Sequence, residues 1–198
     1  MSDELIESEL RRALDAAAWA EVDRLAQLLD ERDAVRAARV VSLRSAALWY
    51  AEQGLRVFPV QPRAKVPFPR SRGCHDATSE LAQVARWWGA APDANIGIAT
   101  GHLVDVIDVD GLAGNIALAR DVLDETPRRG LPHVLGAVST PRAGGRHLYV
   151  AATGDGNHAG ICGSSVDYRG RGGYVIAPPS VTDAGVYRWT RALDVAAL

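Results

Sequence analysis

The chain has 198 residues, of which 47% are hydrophobic and 23% are charged, a composition typical of one packed domain with an appendage. No apolar run approaches the roughly 20 residues that span a bilayer, and the acidic start from Met1 to Leu5 is unlike a signal peptide. The net charge of −2 argues against tight nonspecific binding to duplex nucleic acid, although it is compatible with a local basic groove. We therefore expect a cytoplasmic protein with no membrane partner.

The first forty residues are predicted to be helical. Residues 3–40 contain no glycine or proline, and leucine and alanine recur there at spacings of three and four. This pattern indicates one long amphipathic helix or two shorter ones. We expect residues 1–40 to form a helical appendage to a main domain of residues 41–198.

The main domain is predicted to begin with helices and to continue with strands. A helix is expected over residues 42–54, followed by a strand over 55–60. Residues 61–78 form a loop rich in proline, arginine and glycine, and loops of this length in compact domains are often functional. The next predicted helix covers residues 79–89, and its Trp87-Trp88 pair is expected in the core.

The rest of the main domain is predicted to be rich in β-strands. Residues 96–100 and 103–110 are expected to pair with each other about Gly101. A helix over residues 111–125 follows, with Gly114 as a weak point. Further strands are expected over 137–140, 146–151, 165–169, 174–177 and 186–190. Helices first and antiparallel strand pairs afterwards predict an α+β fold.

Asp108 and Asp110 lie at the end of an aliphatic run, a pattern that predicts a buried strand followed by a turn. Side chains alternate along a strand, so both carboxylates point to one face, and Asp105 points to the other. Two carboxylates there repel each other and resist desolvation, and a divalent cation removes both problems. The alternative is that one of these two aspartates caps the helix predicted after Gly111 and the other is exposed to solvent. Asp105 is expected to be dispensable for catalysis.

Three segments occur in a characteristic order: Val106-Ile107-Asp108-Val109-Asp110, Gly145-Arg146-His147 and Val166-Asp167. Together they resemble the three motifs of the archaeo-eukaryotic primase superfamily, and most closely its bifunctional primase/polymerase branch from phage and plasmid replication. The resemblance covers residues 44–191 and leaves out the first forty. It implies a primase-like core, an RRM-like antiparallel sheet with flanking helices, working in a bacterial host.

The resemblance also implies roles for single residues. Three carboxylates, Asp108, Asp110 and Asp167, would be catalytic and would hold two Mg²⁺ or Mn²⁺ ions, which prefer oxygen ligands. His147 would contact the phosphates of the incoming nucleotide. Lys65 is interpreted as a nucleotide or template phosphate contact.

Each of these residues also has a structural interpretation. Asp167 could simply pair with Arg169, and His147 could be a structural histidine. Lys65 could be a solvated loop residue. Arg169, which shares a face with Asp167, could reach the triphosphate or only orient that aspartate. Arg146 precedes His147 and is expected on the other face, as a surface or template contact.

The function predicted from these features is that of a template-dependent nucleotidyltransferase, a DNA primase or DNA polymerase. Its partners would be a single-stranded DNA template and NTPs or dNTPs. No helicase P-loop occurs in the sequence, so a replicative helicase is expected to be fused to the chain or separate. Two alternatives stay open: another DxD metal-nucleotide transferase, such as a glycosyltransferase, and a non-catalytic replication-initiation module.

The two cysteines exclude a disulfide framework. Together with neighbouring histidines, they offer four candidate zinc ligands: Cys74, His75, His158 and Cys162. The two halves are far apart in the chain, and neither is a C-x₂-C pair. We expect two reduced thiols and no structural zinc.

Overall fold

The computed structural model describes residues 43–115, 133–161 and 164–197. Its helices are α1 (Leu43–Glu52) and α2 (Leu81–Ala90), with short 3₁₀ turns at Gly73–Asp76 and Val195–Ala197. Its strands are β1 (Val57–Val60), β2 (Asn95–Ala99), β3 (Val104–Val109), β4 (Val134–Ser139), β5 (Arg146–Ala151), β6 (Val166–Arg169), β7 (Tyr174–Ala177), β8 (Val181–Thr182), β9 (Gly185–Val186) and β10 (Arg188–Arg191). The appendage predicted for residues 1–40 lies outside the described residues. So does most of the helix predicted over 111–125, of which residues 111–115 are described and helical.

The strands form antiparallel sheets, so the predicted α+β class is confirmed. A five-stranded sheet has the order β10-β4-β5-β3-β6, and a three-stranded sheet has the order β1-β2-β7. Strands β8 and β9 form a separate two-stranded ribbon. The predicted hairpin of β4 and β5 is present, with Val138 opposite His147 and Ser139 opposite Arg146. None of the described helices has the length and apolar character that a bilayer crossing requires.

The predicted pairing of residues 96–100 with residues 103–110 is wrong. Strand β2 pairs with β1 and β7, whereas β3 pairs with β5 and β6. Gly101 adopts a φ of +85°, and its N–H donates to the Val104 carbonyl at 3.0 Å. A Cβ at Gly101 would lie 2.2 Å from the Cα of Arg171. The glycine therefore allows a tight turn that carries the chain from one sheet to the other.

One core joins the helices to both sheets. Its buried members include Tyr50 and Trp88 from the helices, Ile96 from the three-stranded sheet, and Val106 and Tyr149 from the five-stranded sheet. Full burial of such a side chain contributes about 1.5–3 kcal/mol. Val106 and Tyr149 are direct cross-strand partners on β3 and β5. The apolar core therefore continues along the sheet face on which, two residues further along β3, Asp108 lies.

The two tryptophans of α2 differ in burial. Trp88 is fully buried, and its indole N–H donates to the Ala94 carbonyl at 2.9 Å. Trp87 is only partly buried at the edge of the core. The prediction that both rings are core residues is confirmed for Trp88 and only in part for Trp87, because adjacent residues on a helix face different directions.

Candidate active site

Strand β3 brings the three motifs side by side. Asp108 on β3 is the direct Cα partner of His147 on β5 and of Asp167 on β6. Directly opposed residues in an antiparallel sheet share one face, so their side chains form a row across three strands. Residues far apart in the sequence thus meet on the side of the five-stranded sheet that ends in the edge strand β6.

Asp110 lies just beyond the end of β3, at the rim of the row. Its backbone N–H donates to the Ser165 carbonyl at 2.8 Å, and residues 111–115 continue as a helical turn. A Cβ at Gly114 would lie 2.5 Å from the Ser165 carbonyl oxygen. Gly114, predicted to be a weak point, is therefore what lets this turn sit against the start of β6. The side chain of Asp110 is 52% exposed, compared with 22% for Asp108.

Arginines neutralise all three carboxylates. One Arg169 nitrogen lies 3.2 Å from Asp108 Oδ2 and 2.9 Å from Asp167 Oδ2, so the guanidinium bridges the two aspartates. Arg142 contacts Asp110 Oδ1 at 2.9 Å. Burial raises the pKa of Asp108, and the charge of Arg169 opposes that rise. The Arg169 guanidinium, which lines the cleft, thus partly offsets the cost of burying the Asp108 carboxylate.

His147 is a neutral imidazole in the floor of the site. Burial lowers its pKa to about 3, and the charges of Lys65 and Arg169 act in the same direction. Its Nε2 atom lies 3.6 Å from Asp108 Oδ1, too far for a well-formed hydrogen bond. Its buried Nδ1 atom has no hydrogen-bond partner among the described residues. The ring lies 5.6 Å from the ring of Tyr187, measured between centroids.

Lys65 comes from the long proline-rich loop and is the only lysine of the sequence. Its Nζ atom lies 5.9 Å from the centroid of the Tyr187 ring, a cation–π distance. The ring of Tyr187 therefore contacts both the loop lysine and the motif histidine. The proline-rich loop supplies a cation to the same site as the three motifs.

These residues surround a cleft of about 460 Å³. Five of the six predicted site residues line it: Lys65, Asp108, Asp110, His147 and Arg169. The sixth, Asp167, contacts Arg169 beside the cleft, and its Oδ1 accepts the Gly160 N–H at 3.0 Å. The lining residues that were not predicted as site residues include three with polar side chains close to the motif row: Arg142, Asn157 and Tyr187. A Pro-Arg hairpin turn could have drawn attention to Arg142, but no local pattern marks Asn157 or Tyr187.

No group of three or more histidine, cysteine, aspartate or glutamate side chains with metal-binding geometry occurs among the described residues. The carboxylates instead contact guanidinium groups. Their chemistry still fits a hard divalent cation, because Asp108 and Asp167 already converge on a single cation, the Arg169 guanidinium. Cys74 is a free thiol, and Cys162 lies outside the described residues.

The face opposite the row is covered by the rest of the protein. Arg146 is only 3% exposed, so the prediction that it makes a surface contact is wrong. Strand alternation does place it on the other face from His147, but that face meets protein rather than solvent. Asp105 lies on this face too and is fully buried. It accepts hydrogen bonds from the Thr153 N–H at 2.8 Å and from the Tyr168 hydroxyl at 2.6 Å.

A family model described as bifunctional DNA primase/polymerase, N-terminal, matches residues 47–198. The match includes every residue of the cleft and all three strands of the motif row. No curated protein matches the chain closely enough to serve as a relative.

Proposed function

Because the chain belongs to the bifunctional DNA primase/polymerase family, we propose that it is a template-dependent nucleotidyltransferase. It synthesises or extends a primer on single-stranded DNA, as a DNA primase, a DNA polymerase or both. The observation that carries this proposal is the row of Asp108, His147 and Asp167 across three adjacent strands, in which Asp108 and His147 line an open cleft and Asp167 lies beside it. Acidic groups, a neutral donor and three cationic side chains in one cleft suit a triphosphate bound with divalent ions.

Asp108, Asp110 and Asp167 would hold Mg²⁺ or Mn²⁺ in this cleft. When bound, such ions lower the pKa of an attacking hydroxyl and neutralise the pyrophosphate that leaves. The three aspartates present only oxygen ligands, and each now contacts an arginine at 2.9 to 3.2 Å. The guanidinium groups of Arg142 and Arg169 become available to phosphate oxygens when the carboxylates bind ions instead.

His147 would donate a hydrogen bond to the triphosphate. A neutral imidazole carries one N–H, and burial keeps this ring neutral throughout the physiological pH range. Lys65 and Arg169 line the same cleft and would supply positive charge to the phosphates. The neutral donor fixes the position of the triphosphate, and the two cations compensate its charge.

The partners that follow from this function are a single-stranded DNA template and NTPs or dNTPs. A replicative helicase, fused to the chain or separate, stays a prediction from the family resemblance. So does the division into an appendage over residues 1–40 and a catalytic domain over residues 41–198. Structural zinc is not part of the proposal.

The test is a primer-synthesis assay on single-stranded DNA. Labelled NTPs, dNTPs and their mixtures are supplied with Mg²⁺ or Mn²⁺, with and without an annealed primer. We expect dinucleotides or extended primers from the wild-type chain and none from the Asp108→Asn variant. The absence of any product from the wild-type chain in every nucleotide and metal mixture contradicts the proposal.

A further inference from the structure

A second cavity, of about 250 Å³, borders the first cleft. The two share the backbone of Gly172 and Gly173 as a common wall. The second cavity is lined on its own side by Arg56, His102 and Arg171, together with His75 and Cys74. It lies outside the motif row, and none of the six predicted site residues lines it.

The lining of this cavity is positive and contains no carboxylate. Four other arginines of the described chain, Arg63, Arg72, Arg142 and Arg169, each contact an aspartate at 3.2 Å or less. Arg56 and Arg171 form no such ion pair with any described residue. The nearest polar side-chain contact of Arg56 is His102 Nε2 at 3.4 Å.

The positive charge in this cavity also affects the pKa of His102. Burial and the charge of Arg56 lower its pKa, and the more distant charge of Asp105 opposes them. Two guanidinium groups with no acidic partner in one concave site are mutually repulsive, and a bound anion relieves that repulsion.

The wall between the two cavities is thin and fixed. Gly172 adopts a φ of +83°, and a Cβ built there would meet nothing within 4 Å. The backbone around it is held by Thr100, whose hydroxyl donates to the Gly170 carbonyl at 2.6 Å and whose N–H donates to the Gly173 carbonyl at 3.0 Å. No side chain therefore stands at Gly172 or Gly173 to block a chain that passes from one cavity to the other.

We propose that the cavity lined by Arg56 and Arg171 binds a backbone phosphate of a single strand of nucleic acid that extends out of the first cleft. The cavity is smaller than the roughly 300–1,000 Å³ typical of sites that enclose a whole small molecule. It can therefore take one phosphate group more readily than a complete nucleotide. Arginine forks match phosphate oxygens in geometry, and their charge acts on any sequence.

The identification of the ligand as a single strand of DNA rests on the proposed function, whereas the phosphate site itself does not. The test measures binding of a fluorescein-labelled dT₁₂ oligonucleotide by anisotropy, without metal or nucleotide, across a series of salt concentrations. We expect the Arg56→Gln/Arg171→Gln variant to bind about tenfold more weakly at physiological salt. The slope of log affinity against log salt should fall in magnitude by about 1.4, the value for two lost contacts to a single strand.

Two control variants accompany the pair. Arg86→Gln removes one arginine charge from the exposed face of α2, where Arg86 donates to Gln83 within the described part of the chain, and it should bind dT₁₂ as the wild type does. Arg56→Lys/Arg171→Lys keeps both charges and should restore the salt slope. Both target arginines are exposed, so we expect all variants to melt at the wild-type temperature.

Wild-type affinity and salt slope in the Arg56→Gln/Arg171→Gln variant overturn the proposal. The proposal is also overturned if this double variant keeps oligonucleotide binding but no longer binds free dATP in calorimetry. That result would assign the cavity to nucleotides. The two proposals fail separately. If the chain makes no DNA but binds dT₁₂ through these arginines, only the proposed function is lost. If it makes DNA and the variant binds normally, only the phosphate site is lost.

Discussion

Strand β3 carries two aspartates on opposite faces, one buried and one partly exposed, and they have different kinds of partner. Asp105 is fully buried and accepts hydrogen bonds from the Thr153 N–H and the Tyr168 hydroxyl. Asp108 is 22% exposed at its side chain and contacts the Arg169 guanidinium from the cleft. Donors fixed by the fold bind one oxygen of the Asp105 carboxylate, whereas a guanidinium that lines the cleft neutralises Asp108. Asp108 therefore faces the cleft, whereas Asp105 does not line it.

The cross-strand neighbours show the same contrast. Asp108 stands opposite His147 on β5 and Asp167 on β6, whereas Asp105 stands opposite Val150 on β5. Asp108 therefore has polar cross-strand neighbours on both sides, whereas the neighbour of Asp105 on β5 is apolar. The face that contains Asp108 is thus equipped for ligands, and the face that contains Asp105 is equipped for packing.

The largest expected effect is that of Asp108→Asn on catalysis. The amide keeps the size of the side chain but loses the charge that would bind a cation. We expect the rate of primer extension to fall at least about 1,000-fold, which corresponds to about 4 kcal/mol. The melting temperature, measured by calorimetry, should change by only a few degrees. Unfolding of the variant at room temperature would contradict the division between the two faces.

Asp105→Ala should act on stability instead. It removes the acceptor of the part-buried Thr153 N–H and Tyr168 hydroxyl, and a hydrogen bond to a charged group contributes about 1.5–3 kcal/mol. We expect urea denaturation to show a loss of about 3 kcal/mol in the free energy of unfolding. The folded fraction should extend primers at the wild-type rate. A 1,000-fold slower rate in protein shown to be folded would mean that this aspartate also takes part in the reaction.

His147→Ala should slow primer extension about 100-fold, the usual cost of one lost hydrogen-bond donor to a developing charge. His147→Gln restores an N–H donor and should recover part of the rate. Steady-state kinetics with saturating template give both values. Equal rates in the alanine and glutamine variants would indicate that the imidazole has only a packing role beside Tyr187.

Tyr168→Phe has the smallest expected effect, about 1 kcal/mol of stability for one lost hydrogen bond. This effect should depend on pH. Burial and the hydrogen bond to Asp105 raise the pKa of Tyr168 to about 12. The stabilisation by its protonated hydroxyl is therefore complete below about pH 10, the ordinary pKa, and is lost as pH rises towards about 12. Urea denaturation at pH 8 and pH 10.5 should show the difference between wild type and Tyr168→Phe becoming smaller at the higher pH.

The placement of the motif residues could be predicted from sequence because it follows from local patterns. Alternation along β3 is sufficient to put Asp108 on one face and Asp105 on the other. The glycine-rich turn before Arg146 indicates the hairpin of β4 and β5. These features depend on neighbouring residues alone, and the structure confirms them.

The features that could not be predicted depend on long-range packing. Nothing local distinguishes a hairpin about Gly101 from a turn that changes sheets. What decides between them is the close approach of Arg171, seventy residues later in the chain. Tyr187 joins the site only because the folded chain brings its ring to both His147 and Lys65. The burial of Arg146 depends in the same way on what covers the far face of the sheet.

We propose above all that Asp108, His147 and Asp167 form a site of nucleotidyl transfer. The most direct measurement compares the initial rates at which wild type, Asp108→Asn and Asp105→Ala incorporate labelled dNTP on a primed single-stranded template with Mn²⁺, each rate divided by the folded fraction. We predict at least about 1,000-fold less incorporation by Asp108→Asn and a normal rate for Asp105→Ala. Equal incorporation by wild type and Asp108→Asn would contradict the claim.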